Sequence, residues 1–292
     1  DSNEANRSPS RQFDPRKRSG SSQPLTTRGT LTFLSRESSA PVYRAAVGGA
    51  EARLDLSGDY EDREAEILNG RDLPETFRLD LQGFRLVRHK SAVPNVYDVD
   101  QRSRIYEAEC RQLVIEATGA TSAHVFDHTL RSGDPQRREE KCSREPTTVI
   151  HNDYTPRSGP QRLNDLMGEK AGSLLRKPFA IINVWRPIQT VESFPLALCD
   201  ARTVEPEVLI PAERRAKDRI GEIYVARFSP AQRWVYFPRM TPEETILIKT
   251  YDSREDGRTR WCIHTAVDVE GTEPGAQPRE SIESRAFAFF EG

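Results

Sequence analysis

Metal-binding and reactive side chains are sparse in this chain. Its 292 residues include five histidines and four cysteines. Cys110, Cys142, Cys199 and Cys262 are far apart and none forms a C-x-x-C pair, which excludes a zinc-ribbon reading. A chain of this length builds its own core, so a disulfide framework is not expected either. Free thiols in a reducing, cytoplasmic setting are the expectation. There is no excess of either charge: 43 basic and 45 acidic residues leave a net charge of −2. Nucleic-acid and membrane surfaces both reward a basic excess, so neither is expected as a partner. No apolar run approaches the roughly 20 residues of a membrane span, and no apolar segment of signal-peptide type is seen near the start. G-x-G-x-x-G and P-loop patterns are missing, so a nucleotide fold has no support.

What the chain does hold is a long series of short apolar runs. Residues 1–28 are rich in Ser, Arg, Pro and Gln and bury too little to offset ordering entropy, which predicts a flexible tail. Residues 29–292 read as one domain. Helical spacing predicts two helices. "DQRSRIYEAECRQLVIEATG" aligns Ile105, Tyr106, Cys110, Leu113, Val114 and Ala117 and stops at Gly119; "QRLNDLMGEKAGSLLRK" aligns Leu163, Leu166, Met167, Leu174 and Leu175. Around them lie "GTLTFLSRE", "TSAHVFDHTL", "TTVIHNDYT", "PFAIINVWRPI", "FPLALCDARTV", "EIYVARFS", "RWVYFPRM", "ETILIKTYDS", "RWCIHTAV" and "ESIESRAFAFF", at strand length between turn signals. The expected class is α+β, mainly β, with a sandwich or barrel core.

The scarcity of histidine makes "TTVIHNDYT" informative. Side chains alternate on a strand, so His151 and Asp153 point one way with Val149, while Asn152 and Tyr154 point the other. A second histidine would complete two His and one carboxylate, a set that leaves open positions on Fe(II) for cosubstrate and oxygen. His264, in "WCIHTAV", is the best candidate. His89 lies in a basic, exposed stretch. A site from His124, Asp127 and His128 is worse, because Asp127 would point away from the histidines. By itself H-x-D also fits a histidine satisfied by its neighbour on a surface strand.

Downstream, Arg279, Ser281, Glu283 and Arg285 share one face of an apolar strand. Buried arginines are costly without anions, and a guanidinium fork matches a carboxylate. A dicarboxylate cosubstrate would supply that anion; an internal pair with Glu283 is the plainer alternative. H-x-D, a distal His and Arg-x-Ser together are the site logic of Fe(II)/2-oxoglutarate oxygenases on a double-stranded β-helix (jelly roll).

"VIHNDYT", "INVWRPI", "PLALCDA", "RWVYFPRMTPEE", "KTYDS", "IHTAVD" and "PRESIESRAFAFF" follow one another in the order seen in a family of fungal and bacterial non-haem Fe(II)/2-oxoglutarate oxygenases, which the chain resembles from about residue 30 to 292. AsaB, the fungal gibberellin desaturase and CmcJ typify it. The resemblance implies a dioxygenase of natural-product metabolism using Fe(II), 2-oxoglutarate and O2. His151, Asp153 and His264 would be the iron ligands. Arg279 would hold the distal carboxylate of 2-oxoglutarate, with Ser281 or Arg285 assisting. The interval from His264 to Arg279 is long for the pattern, so Arg279 and Arg285 both stay open as the main anchor. Asn183 and Trp185 share strand parity and would face the interior near iron, Asn183 toward cofactor and Trp185 toward substrate; Trp185 as core filling, with Arg186 and Pro187 ending the strand, is the alternative. Trp261 has no counterpart in the pattern and either shapes the pocket or fills core. Tyr154, Arg157, Arg162 and Asn164 would meet a polar or carboxylate-bearing small-molecule substrate at a rim formed by residues 156–177. Hydroxylation, desaturation and oxidative cyclisation stay open. The competing classes are a non-catalytic cupin-like binding protein and a metal-dependent hydrolase.

Overall fold

Along the strand Glu280–Phe289, Ile282, Ala286 and Ala288 turn toward one core cluster, while Ser281, Glu283 and Arg285 belong to the opposite face. That alternation divides the molecule. In this computed structural model, which describes residues 25–45, 55–217 and 219–292, the strand lies inside a five-stranded antiparallel sheet. Its order is Phe84–Arg88, Glu244–Asp252, Phe179–Pro187, Glu280–Phe289, Ser122–Ser132. An eleven-stranded sheet forms the second layer, with Leu196–Cys199, His264–Ala266, His151–Asn152, Arg219–Ala226 and Leu209–Ala216 as successive neighbours. Apart from the last two, which are consecutive, these neighbours are distant in sequence. Trp185, Ile246 and Ile248 of the smaller sheet share one core cluster with Leu196, Leu198 and Val235 of the larger.

The first expected helix is present from Val99 to Thr118, running through a π-helical turn at Arg102–Tyr106. Asp98 caps it by accepting from Gln101 N at 2.9 Å, and Gly119 ends it at φ 72°, a left-handed value that suits glycine. Tyr106, Cys110, Leu113 and Val114 bury against the outer face of the five-stranded sheet. The second helix covers Ser158–Met167 and continues through short turns to Leu174. All four cysteines are free, Cys142 exposed and the others buried. Among the described residues no helix is long and apolar enough to cross a membrane.

Several expectations need correction. "TTVIHNDYT" is not a full strand. Only His151–Asn152 joins the ladder, and Val149 touches Thr32 through an isolated bridge. The cause is Asn152, whose Nδ2 donates to the Tyr154 carbonyl at 2.7 Å and bends the chain after it. The expected tail falls largely outside the described residues, but Thr26–Arg28 already belong to the first strand, paired with Leu68, Ile67 and Glu66. The strands Tyr60–Asn69 and Leu209–Ala216 and the helix Pro135–Lys141 carry mostly polar faces, so no apolar run marks them. His89 is half-buried rather than exposed, and its Nδ1 meets the Arg186 guanidinium at 2.8 Å.

Gly159 lets the second helix approach the smaller sheet. A Cβ there would lie 2.6 Å from the Tyr251 ring. Gly159→Ala is expected to destabilise the protein by about 1–3 kcal/mol through overpacking, read as a lower urea midpoint at unchanged m-value. An unchanged midpoint would show that the ring yields freely.

Candidate metal centre and its cavity

Register brings the two key histidines together. His264 and His151 are Cα partners on adjacent antiparallel strands, and Val225 flanks His151 on its other side. Directly opposed residues project side by side, and here the ring centroids are 4.6 Å apart. Each ring spends its Nδ1 on a backbone carbonyl two residues earlier: His151 on Val149 O at 2.8 Å, His264 on Cys262 O at 2.9 Å. A carbonyl only accepts, so Nδ1 carries the proton and Nε2 keeps its lone pair. The His264 Nε2 is buried without a hydrogen-bond partner. His151 Nε2 lies 3.6 Å from Asp153 Oδ1, and the potential ligand atoms of His151, Asp153 and His264 all fall within 4.8 Å of one another. An orphaned buried lone pair facing a carboxylate and a second imidazole lone pair fits a divalent cation.

Asp153 is held from the opposite sheet. Its Oδ2 accepts from Asn183 Nδ2 at 2.8 Å and from Arg285 Nε at 2.7 Å. Asn183 and Arg285 are themselves Cα partners on neighbouring strands, so one cross-strand pair grips one oxygen and leaves Oδ1 to the centre. Thr250 Oγ1 donates to Asn183 Oδ1 at 3.3 Å, which fixes the amide so that its NH2 faces the carboxylate. Burial opposes ionisation of Asp153, but Arg285 above all holds its carboxyl well below the usual range. Arg285 in turn is raised above the ordinary arginine value by Asp153, Glu283 and Asp127, against the effect of burial. His151 is pushed down to about 3, by burial first and His264 second.

Asn152, between His151 and Asp153, faces away from the cavity as expected. It is fully buried, donates to Thr250 O at 2.9 Å and accepts from Cys262 N at 3.3 Å. It ties the His151 segment both to the other sheet and to the strand carrying His264. Tyr154 departs from the alternation and lines the cavity, because the chain bends at Asn152.

The cavity beside the centre measures about 680 Å³. Val149, His151, Asp153, Tyr154, Ile223 and Arg285 are among its lining residues. The other sequence candidates fall elsewhere. Trp185 lies in the core against Phe77, Phe84 and Ile246, off the cavity wall, with the Arg279 guanidinium 5.4 Å from its ring centroid. Arg186 is buried on the helix side, its Nη1 donating to the carbonyls of His89 and Pro242. Trp261 packs on Tyr224, ring centroids 5.5 Å apart. Arg157 is exposed and 3.9 Å from Glu222, Arg162 is 3.9 Å from Asp127, and neither they nor Asn164 reach the cavity wall. Of residues 156–177 only Ser158 lines it. Asn183 and Arg285 grip Asp153 rather than standing free for a cosubstrate; parity marked them as inward-facing but not what they would touch. Arg285 also donates to Thr129 Oγ1 at 2.9 Å and pairs with Glu283, so the internal Arg–Glu pair is made by Arg285.

Arg279 and Ser281 are buried off the cavity wall. Arg279 Nη1 donates to Phe194 O at 2.8 Å, its Nε has no partner, and burial, then the like charge of Arg131, lower its pKa to about 9. Arg131, on the cavity wall and the Cα partner of Ser281, escaped the sequence reading.

A family model described as "Oxidoreductase/YMDC permease-like domain" matches residues 31–289. The hydroxylase/desaturase CTB9 of Cercospora beticola is 32% identical over 254 residues, 80% of this chain and 78% of its own length. The alpha-ketoglutarate-dependent dioxygenase phiK of Fungal sp. (strain ATCC 74256) is 30% identical over 221 residues, 73% of this chain and 80% of its own. Among solved structures, the iron and alpha-ketoglutarate-dependent endoperoxidase NvfI superposes with a TM-score of 0.80 at 25% identity, covering 92% of this chain and 99% of that one.

Two outcomes are expected. Asn183→Ala frees one side of Asp153 and weakens Mn(II) binding by about 10- to 100-fold, read by calorimetric titration; an unaltered affinity would mean the amide does not orient the ligand. Between pH 6.5, the ordinary histidine value, and about 3, the unfolded chain takes up a proton at His151 that the folded protein refuses. Metal-free protein therefore loses stability as pH falls through that window and keeps this contribution above it. His151→Gln should flatten the pH dependence of the urea midpoint there; parallel profiles would count against it.

Proposed function

This chain belongs to the family that contains the fungal hydroxylase/desaturases and alpha-ketoglutarate-dependent dioxygenases, and from that premise we propose that His151, Asp153 and His264 hold the Fe(II) of its active centre. The protein is a non-haem iron, 2-oxoglutarate-dependent dioxygenase of secondary metabolism, using Fe(II), 2-oxoglutarate and O2. Its two facing sheets are read as a double-stranded β-helix, with a C–H bond of a small natural-product intermediate as the target. The observation that carries the site assignment is the double use of Nδ1: both imidazoles are turned by backbone carbonyls, which leaves each Nε2 lone pair free, and the potential ligand atoms of His151, Asp153 and His264 lie within 4.8 Å of one another.

When bound, the iron and 2-oxoglutarate supply the oxidation of the C–H bond, with 2-oxoglutarate and O2 consumed and succinate and carbon dioxide released. The protein's own contribution is orientation and exclusion of water. Asn183 and Arg285 keep Asp153 ionised and aimed. Val149, Tyr154 and Ile223 give the inner cavity apolar walls that fix a substrate beside the centre.

The distal carboxylate of 2-oxoglutarate is assigned to Arg279, with Arg131 and Ser281 beside it, rather than to Arg285. Arg285 has each of its nitrogens engaged with Asp153, Thr129 or Glu283. Arg279 is buried with an unpartnered Nε and a depressed pKa, the condition of a guanidinium that lacks its anion. Arg279→Gln is expected to raise the KM for 2-oxoglutarate by about 10- to 100-fold, the loss of a charge-assisted hydrogen bond of ~1.5–3 kcal/mol, with Mn(II) affinity unchanged. Arg285→Gln is expected to do the reverse and weaken the metal. If Arg279→Gln leaves the cosubstrate KM alone and Arg285→Gln raises it, the two roles are exchanged. Loss of succinate formation in His151→Ala tests the centre itself.

A further inference from the structure

The cavity wall is far more basic than the chain. The whole sequence carries a net charge of −2, yet eight Arg and Lys side chains and only three carboxylates line this one cavity. Two of the carboxylates are taken: Asp153 belongs to the centre, and Asp127 lies 3.6 Å from Arg285. Glu222 accepts from Thr155 Oγ1 at 2.5 Å and lies 3.9 Å from Arg157. Among the described residues, Arg144, Arg214 and Arg219 have no ion-pair partner.

These three arginines form a group. Arg214 and Gly221 are Cα partners across the hairpin made by Leu209–Ala216 and Arg219–Ala226, and Ala216 pairs with Arg219. Arg214, Gly221 and Arg219 therefore share one face with Ile223, all on the cavity wall. Gly221 leaves room for the Arg219 guanidinium, whose Nη1 lies 3.4 Å from where a Cβ would stand. Arg144 is half-buried and feels the charges of Arg131, Arg214 and Arg285; Arg219 feels those of Arg162 and Arg214. Burial and these like charges lower the pKa of both Arg144 and Arg219. Three half-buried cations on one cavity wall, none with an ion-pair partner among the described residues, are unfavourable until an anion arrives.

We infer that Arg144, Arg214 and Arg219 bind a carboxylate of the substrate, so that the enzyme acts on an apolar acid held by its carboxylate at the cavity mouth. The inference rests on the oxygenase reading and adds the substrate's class to it. A planar guanidinium fork suits a carboxylate, and Tyr43, Leu56, Val99 and Ile223 offer apolar surface along the same cavity for the rest of the molecule. Val225 is level with His151, and Gly221 lies four residues further along the strand, about 13 Å at the usual rise. The carboxylate therefore sits on the order of 10 Å from the reacting carbon, with the reach of the arginine side chains shortening the gap. Arg214 and Arg219 stand on the larger sheet's hairpin, whereas Arg279, assigned to the cosubstrate, is buried off the cavity wall; Arg144 is bridged to Arg131, between the two.

The test uses 2-naphthylacetate, its methyl ester and 2-naphthyl phosphate as probes, titrated into the protein with Mn(II) and 2-oxoglutarate and into the metal-free protein. The acid is expected to bind at least roughly tenfold tighter than the ester in both states, as loss of one charge-assisted contact implies. Arg214→Gln/Arg219→Gln should abolish that preference and leave the Kd for 2-oxoglutarate unchanged; Arg144→Gln alone should reduce it, serving as a second variant if the pair does not fold. An acid bound no more tightly than its ester, or not bound, overturns the inference. So does tighter binding of the phosphate, or a double variant that loses 2-oxoglutarate as well. Failure of Mn(II) to bind would instead strike the oxygenase reading, while the metal-free titration still decides the subsite.

Discussion

Much of this structure depends on the two hydrogen bonds to one oxygen of Asp153. The carboxylate projects from just beyond the short strand His151–Asn152 of the larger sheet, and its Oδ2 is held by Asn183 and Arg285 of the smaller one. A buried ionised carboxylate costs several kcal/mol unless it is paired and hydrogen-bonded. The pair supplies both, and it joins the sheets at the level where the histidine nitrogens converge. Arg285 is balanced in turn by Glu283 and Asp127, so the charge network closes on itself without calling on a ligand. Asn152 repeats the pattern with neutral groups, linking Thr250 across the sheets and Cys262 along them. The centre is thus built on ladder positions and locked side chains, which hold geometry better than loops do.

The outer cavity follows a different rule. Arg144, Arg214 and Arg219 there have no ion-pair partner among the described residues, and they stand on a hairpin and a connecting segment instead of the central strands. Low-dielectric walls around a cluster of one sign concentrate the field and draw an oppositely charged ligand inward. A nearly neutral chain can do this because its acidic residues are spread over other surfaces, as in the exposed face of Tyr60–Asn69.

The sequence showed the centre more clearly than its surroundings. Few histidines and one H-x-D made the cluster of His151, Asp153 and His264 legible, because chemistry restricts which residues can hold a metal. Parity correctly turned Asn183, Arg279 and Arg285 inward but could not assign their partners. That depends on register between strands about a hundred residues apart, as in Arg285 opposite Asn183. The same limit hid Arg131, Arg144, Arg214 and Arg219: each looks like an ordinary surface arginine until pairing brings it to the cavity. Arg157 and Arg162 lie near the motif in sequence, yet they stay off the cavity wall, 3.9 Å from Glu222 and Asp127, which do line it. The strand around His151 was overextended because alternation in the sequence says nothing of a side chain that hydrogen-bonds its own backbone two residues on.

Relatives with this architecture carry names as different as hydroxylase/desaturase and endoperoxidase. A facial set of two histidines and one carboxylate does not by itself discriminate among such outcomes. What differs between them is which substrate atom is held near the centre and what it can reach next. Here the variable part is the outer wall: side chains on the Leu209–Ala226 hairpin can change length, charge or register without touching the Asp153 clamp, because the clamp is anchored in the other sheet. Separation of a rigid centre from a replaceable wall explains how one fold serves many substrates. The proposed carboxylate subsite of Arg144, Arg214 and Arg219 belongs to this replaceable wall, since none of the three has an ion-pair partner among the described residues.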